Sequence, residues 1–239
     1  MNTKNTLLVI TLSVILAACG SGSSEGTAAP DNGTTGGNTG GNTGGNTGGS
    51  NQPSSRTDGI TDVVQNNVKK EAINSFVLDG KTITLLPEQI SVDGMLNNLG
   101  GNLFGDTLSK AVSGKRYANT RFGILLPEGK DAMAFSQGVE TAANDMPNIN
   151  GVKYVGDYVY YDTKAVKKEF KTGDLNATAN FADRKIVIKM DDNNFSGNIV
   201  SNGFTIDGGK GKFYGPKAAE FSGTRVNGSG ITAFGAKKK

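Results

Sequence analysis

Gly203-Phe204-Thr205-Ile206-Asp207-Gly208-Gly209-Lys210-Gly211-Lys212-Phe213-Tyr214-Gly215-Pro216-Lys217-Ala218-Ala219-Glu220-Phe221-Ser222-Gly223-Thr224 decides how the chain is read. Phe204 and Ile206 alternate with Thr205 and Asp207, the period of a half-buried strand. Asp207-Gly208 turns the chain, and Lys212-Phe213-Tyr214 belongs to the next strand. Pro216 cannot donate to a β-ladder, so Gly215-Pro216 marks a turn or an edge. Ala219, Phe221 and Gly223 then share one face of a strand whose other face carries Glu220, Ser222 and Thr224. Asn227-Gly228 is a strong hairpin signal, after which Ile231 to Ala236 returns to close the sheet. Strand follows strand with only tight turns between, so the stretch reads as the end of a closed antiparallel barrel.

Upstream, the same pattern continues. Phe122, Ile124 and Leu126 share a face within Arg116 to Leu126, Pro127 to Lys130 turns the chain, and Ala132 to Thr141 returns. Val152 to Asp162 follows, with Tyr158 and Tyr160 on the face that would line the barrel and Gly156 placed where a stave must bend. Neither face of that strand is wholly polar. Gly173 to Phe181, Lys185 to Met190, and Phe195 to Ile206 (split at Asn202-Gly203) supply further strands, and Asp191 to Asn194 reads as a hairpin turn. The fold class expected is mostly β, a small N-terminal handle section followed by an approximately eight-stranded antiparallel barrel over residues 115–239. At that strand number the interior is filled by side chains, with room for one small ligand at most.

Residues 58–114 are less regular. Val77, Ile83 and Leu85 suggest two short strands around Asp79-Gly80. Met95, Leu96, Leu99, Leu103 and Phe104 form an apolar set partly at helical spacing, interrupted by Gly100-Gly101. Two readings stand: a helix or loop packed on the sheet, or a partly exposed apolar surface that receives a ligand or partner.

The first residues have a different purpose. Lys4 and the apolar run Thr6 to Ile15 have the charge and length of a signal peptide, too short for a mature membrane span. Leu16-Ala17-Ala18-Cys19 reads as a lipobox, with cleavage after Ala18 and lipidation of Cys19, the only cysteine. Several acyl chains on one residue give firm anchoring, and Gly20-Ser21, with no Asp beside the lipid, points to the outer membrane. From Cys19 to about Thr57 the composition turns to Gly, Asn, Thr and Ser, with Gly-Gly-Asn-Thr repeated at 36–39, 40–43 and 44–47. Such a segment buries too little to offset its chain entropy. It is read as a tether with a reach of roughly 35 Å.

The chain has no His, and its one Cys is assigned to lipid. That removes Ser-His-Asp, Cys-His and His-based zinc arrangements together. Asp191 and Asp192 point to opposite sides of an extended chain and cannot work as a facing acid pair. Gly208-Gly209-Lys210-Gly211 lacks phosphate-loop spacing. Lys237 to Lys239 is a solvated end, and no basic cluster is interleaved with aromatics for nucleic acid. The expectation is a binding protein without catalytic residues, metal or cofactor. Recognition would then fall on loops 127–131, 142–151, 163–172 and 191–194.

Phe213-Tyr214-Gly215, Ala219-Glu220 before a strand with Gly223, and Phe234-Gly235-Ala236-Lys237 resemble the C-terminal barrel of transferrin-binding protein B, factor H binding protein and hemophilin. So do Phe135-Ser136-Gln137-Gly138, Thr141, Met146-Pro147, Gly151 and Tyr154-Val155-Gly156. The resemblance implies a Slam-exported surface lipoprotein of a Gram-negative outer membrane, with a handle before its barrel. It implies capture of transferrin, haemoglobin or a haem protein, in concert with a TonB-dependent receptor. The other readings are a factor H-binding immune-evasion lipoprotein, a carrier of a small hydrophobic ligand, and a structural envelope lipoprotein.

Overall fold

The computed structural model describes residues 56–57, 60–64, 67–102 and 107–239. The expected lipidation and cleavage site at Ala18-Cys19, nearly all of the tether, and Leu103 and Phe104 lie outside them. The strands run β1 (Arg56–Thr57), β2 (Ile60–Val64), β3 (Ser75–Leu78), β4 (Lys81–Thr84), β5 (Met95–Asn98), β6 (Ser109–Ser113), β7 (Thr120–Leu126) and β8 (Ala132–Gly138). Then come β9 (Val152–Asp162), β10 (Lys171–Asn180), β11 (Lys185–Met190), β12 (Asn193–Val200), β13 (Gly203–Ile206), β14 (Gly209–Tyr214), β15 (Glu220–Asn227) and β16 (Gly230–Lys238). Among the described residues helical structure is confined to three short 3-10 turns.

The fold is mostly β, with an eight-stranded closed antiparallel barrel, as expected. Its members differ from the expectation. The barrel is β9 to β16 in sequence order, closed by the pairing of β16 with β9, whereas β7 and β8 belong to a six-stranded open sheet ordered β1-β2-β8-β7-β6-β5. The barrel therefore starts at Val152 rather than near Lys115, and Arg116 to Asn119 precede the strand instead of forming part of it. The tether reading also gives way at its end, because Arg56 and Thr57 pair with Thr61 and Ile60. The helical spacing of Met95 to Phe104 is overturned as well: Met95–Asn98 is a strand that pairs with β6.

The reason lies in a layered core. The sheet lies across the outside of the barrel, so strands on both sides of the contact are buried on both faces. On β7 and β8, Phe122, Ile124, Ala132 and Ala134 face the barrel and pack with Val159, Tyr161, Ile231 and Ala233 from its outer wall. Their alternate residues Leu125, Met133 and Phe135 face the other way, against Phe76 and Leu85 of the β3–β4 hairpin region. Strands of this kind read as continuous apolar runs, and periodicity alone cannot say whether they are staves or cover. Where the barrel wall meets solvent the alternation is clean: Ile186, Ile188 and Met190 point in, and Lys185, Val187 and Lys189 point out.

Buried polar bonds fix the two layers together. The Glu220 carboxylate on β15 accepts the backbone N–H groups of Ala118 and Asn119 at 2.8 Å each. Asp157 on β9 accepts the Tyr117 hydroxyl at 2.7 Å and the Arg116 guanidinium at 3.0 Å. Thr120, Ser222, Ser136 and Tyr214 form a chain of hydroxyls across the joint, spaced 2.5, 2.7 and 3.1 Å. At Gly235 the absent side chain is essential, since a Cβ there would sit 2.3 Å from the Phe122 ring.

Candidate functional site

Aromatic rings fill the middle of the barrel. Phe204, Phe213, Phe221 and Phe234 stack with centroids 5.4–6.5 Å apart, and Tyr154 and Phe181 extend the cluster. One end is stoppered. The Tyr154 hydroxyl donates to the Ala218 carbonyl at 2.7 Å, and the Lys217 N–H donates to the Asp145 carboxylate at 2.8 Å. Lys217 and Ala218 hold φ of 51° and 55°, left-handed values that a non-glycine adopts only under constraint. Two of the hollows among the described residues combine apolar lining with charged groups.

The first is the mouth at the other end. The inward positions of the staves change character there, from phenylalanine to Tyr158 and Tyr160 on β9, Lys171 on β10 and Arg225 on β15. These residues, with Met190 and Phe195, surround a cavity of about 270 Å3. The Tyr158 ring lies over Gly173 and the Tyr160 ring over Gly230; a Cβ at either glycine would come within 2.6 Å of ring atoms. Each ring thus lies against a neighbouring strand. The Tyr158 hydroxyl donates to Asp191, and burial together with that bond pushes the phenol up to about 12. Burial and the nearby Asp162 carboxylate raise Tyr160 as well. The Arg225 guanidinium stacks 4.6 Å from the Phe195 centroid, and its Nε donates to the Asp207 carbonyl at 2.9 Å.

The second is a groove of about 1250 Å3 between the β3–β4 hairpin and the ends of β6 and β7. Ile83, Pro87, Leu108, Leu126 and Pro127 give it apolar lining, and Lys81, Thr82, Glu88, Gln89 and Glu128 contribute polar and charged groups. The hairpin is held in place by long side chains from beneath: Lys110 donates to the Thr84 carbonyl at 2.5 Å, and Gln137 donates to the Ile73 and Ser75 carbonyls at 3.0 and 2.6 Å. At the tip, Lys130 pairs with Asp79, tying the hairpin turn to the β7–β8 turn.

The residues singled out in sequence do not form one site. Leu96 is buried, Met95 is partly buried against the sheet–barrel core, and Leu99 is exposed. None of the three lines either hollow. The expected recognition loops divide three ways: 127–131 borders the groove, 142–151 lies at the stoppered end, and 163–172 and 191–194 frame the mouth. Sequence reasoning missed the groove wall at Lys81 to Thr84 and missed Arg225. A signal for Arg225 was present: it continues the inward series Phe221, Gly223, and a charge at an inward position belongs at a barrel end.

No family model and no curated protein matches the sequence. Solved structures do match. Isotype 1 transferrin-binding protein B from serogroup B Neisseria meningitidis superposes with a TM-score of 0.56 at 20% identity, covering 73% of this chain and 41% of that one. A point mutant of transferrin-binding protein B from Haemophilus parasuis Hp5 gives 0.55 at 20% identity, over 70% and 41%. An intact Ap-TbpB with N and C lobes gives 0.51 at 21% identity, again over 70% and 41%. The chain has a fold like that of transferrin-binding protein B and spans less than half the length of those proteins. The matched 70–73% exceeds the share of the chain between Val152 and Lys238, so the likeness extends beyond the barrel.

Proposed function

We propose that this chain is a non-catalytic, lipid-anchored capture protein of the outer membrane surface that takes an iron-carrying host protein, transferrin first, into its hairpin–sheet groove. The observation that carries the reading is the shared sheet-on-barrel fold with transferrin-binding protein B. The groove supports it: apolar lining with polar residues alongside is the make-up of a protein-recognition patch, and its walls are braced by Lys110, Gln137 and the Lys130–Asp79 pair. Bracing lowers the ordering cost of binding. Haemoglobin and haem proteins are the other iron sources in the same class. The phenylalanine-filled barrel gives no support to a hydrophobic-ligand carrier working through the lumen.

In this reading Cys19 holds the protein at the membrane, the Gly/Asn/Thr tether lets the folded head stand clear, a Slam-type exporter delivers it, and a TonB-dependent receptor receives its cargo. Capture from serum and from haemolysate by the immobilised full chain tests the proposal. Recovery of transferrin, haemoglobin or a haem-carrying protein supports it. Recovery of factor H alone moves the protein to immune evasion, and recovery of nothing from either fluid overturns host capture.

A further inference from the structure

We infer that the barrel mouth is a second binding site, independent of the groove, for a small planar aromatic anion, a single-ring aryl carboxylate being the chemistry that fits. Three observations converge. The mouth is a built cavity: its volume of about 270 Å3 lies just under the usual small-ligand range. Glycines at 173 and 230 leave room for the tyrosine rings to lie back against the wall, where bulkier residues would push them across the opening.

Its flat surfaces are aromatic. Phe195, Tyr158 and Tyr160 bring aromatic rings to the lining, and Met190 adds a polarisable thioether. A packed core would place these rings against one another. Here Phe195 takes the Arg225 guanidinium as its partner instead.

The charges complete the match. The wall presents two cations, Lys171 and Arg225, against one carboxylate, Asp191, already occupied as the acceptor for Tyr158. Further acids stand around the mouth: Asp162 acts on Tyr160, Asp174 on Tyr158, and Glu169, paired with Lys167 at 2.6 Å, lies near Lys171. Asp162 accepts the Lys164 N–H at 2.9 Å, and the exposed Asp207 carboxylate forms an ion pair with Arg225 at 3.9 Å, beyond hydrogen-bond reach. Arg225 is oriented by its Nε bond to the Asp207 carbonyl and by the Phe195 ring, which leaves guanidinium N–H groups for a carboxylate. Lys171, at the exposed rim, adds a second positive charge. A benzoate-like ligand would place its ring between Phe195 and Tyr160 and its carboxylate toward Arg225 and Lys171. A hard cation would meet two like charges.

Titration of the purified full chain with salicylate, followed by the ligand's own fluorescence and by chemical-shift changes, tests the inference. Saturable one-site binding is expected, with shifts grouped on residues 158–162, 190–195 and 225–232. Arg225→Gln should weaken it about tenfold, and Lys171→Gln, at an exposed position that leaves the fold alone, about threefold. Affinity should fall with added salt. Cyclohexanecarboxylate, with the charge but no π-face, and benzyl alcohol, with the ring but no charge, should both bind more weakly. Absence of saturable binding through the low millimolar range overturns the inference. So does binding that both charge variants leave unchanged, or equal affinity for the cyclohexyl acid. None of these outcomes bears on capture at the groove.

Discussion

Replacing Gly235 with Ala tests the sheet–barrel joint at its tightest point. The added methyl would lie 2.3, 2.6 and 3.0 Å from three atoms of the Phe122 ring, where carbon atoms ordinarily rest about 3.5–4.0 Å apart. The ring would have to move by more than an ångström. It has little freedom to do so: Phe122 is fully buried and meets the Tyr117 ring edge-on at 5.0 Å, and Tyr117 is pinned through its hydroxyl to Asp157. Overpacking of this kind costs about 1–3 kcal/mol, while the change from Gly to Ala in a strand returns roughly 0.5–1 kcal/mol. At a 2.3 Å approach the upper half of that overpacking range applies, about 2–3 kcal/mol, and with up to about 1 kcal/mol returned the net loss is about 1–2 kcal/mol. For a folded region of this size that lowers the melting temperature by about 2–8 °C. Urea titration followed by circular dichroism measures it, and Phe122→Leu supplies the control. If the clash is the cause, Gly235→Ala should cost at least about 1 kcal/mol less in the Phe122→Leu background. A neutral or stabilising Gly235→Ala, or strict additivity of the two changes, would refute the reasoning.

Three other expectations follow from buried polar groups. Glu220→Ala leaves the Ala118 and Asn119 N–H groups without their carboxylate and should cost about 3–5 kcal/mol, from the price of orphaned buried donors, read as a lower urea midpoint. All six tyrosines have raised phenol values, with burial the leading cause in each. The folded state therefore favours the protonated phenol, and its advantage holds below pH 10 and is lost as pH rises beyond it. Ultraviolet titration should show little tyrosinate at pH 10, where free phenol is half ionised; half-ionised tyrosine in the folded protein would contradict this. Burial works to raise the Glu140 carboxyl, but bonds from Lys212 at 2.6 Å and Asn202 at 2.9 Å outweigh it and hold the group below its usual range. Its contribution is present above the ordinary glutamate value and fades as pH falls through the lower folded one. Lys212→Met should therefore shift acid unfolding to higher pH, and an unchanged acid midpoint would count against the pair.

The barrel was legible in sequence because its turns carry chemistry that strands cannot. Asp207-Gly208 and Asn227-Gly228 both turn the chain, with Gly208 and Gly228 at φ of 67° and 59°, and the clean alternation of Lys185 to Met190 faces solvent on one side only. The start of the barrel was not legible. Phe122, Ile124 and Leu126 alternate as a stave would, yet they cover the barrel from outside, and which surface an apolar face meets is decided by partners distant in the chain. Val152 to Asp162 held the clue: its lack of a polar face reflects an inner side of Tyr154 and Tyr158 and an outer side of Val159 and Tyr161 buried under the sheet. Neither hollow could be read locally. The groove joins residues near 83, 108 and 126, and the mouth joins ends of six staves, so only the strand order brings them together. Met95 and Leu96 show the converse error, an apolar set in sequence that serves an edge strand's packing.

The most direct test of the account is the affinity of transferrin for the immobilised full chain, wild type against Thr82→Arg with Glu128→Arg. Both residues are exposed where the groove opens, so the double substitution obstructs the groove without touching the core. Saturable binding to the wild type, weakened about tenfold or more by the obstruction and unchanged by Lys189→Gln on the outer barrel wall, is the predicted result. Absence of transferrin binding, or binding that the obstructed groove leaves intact, would contradict it.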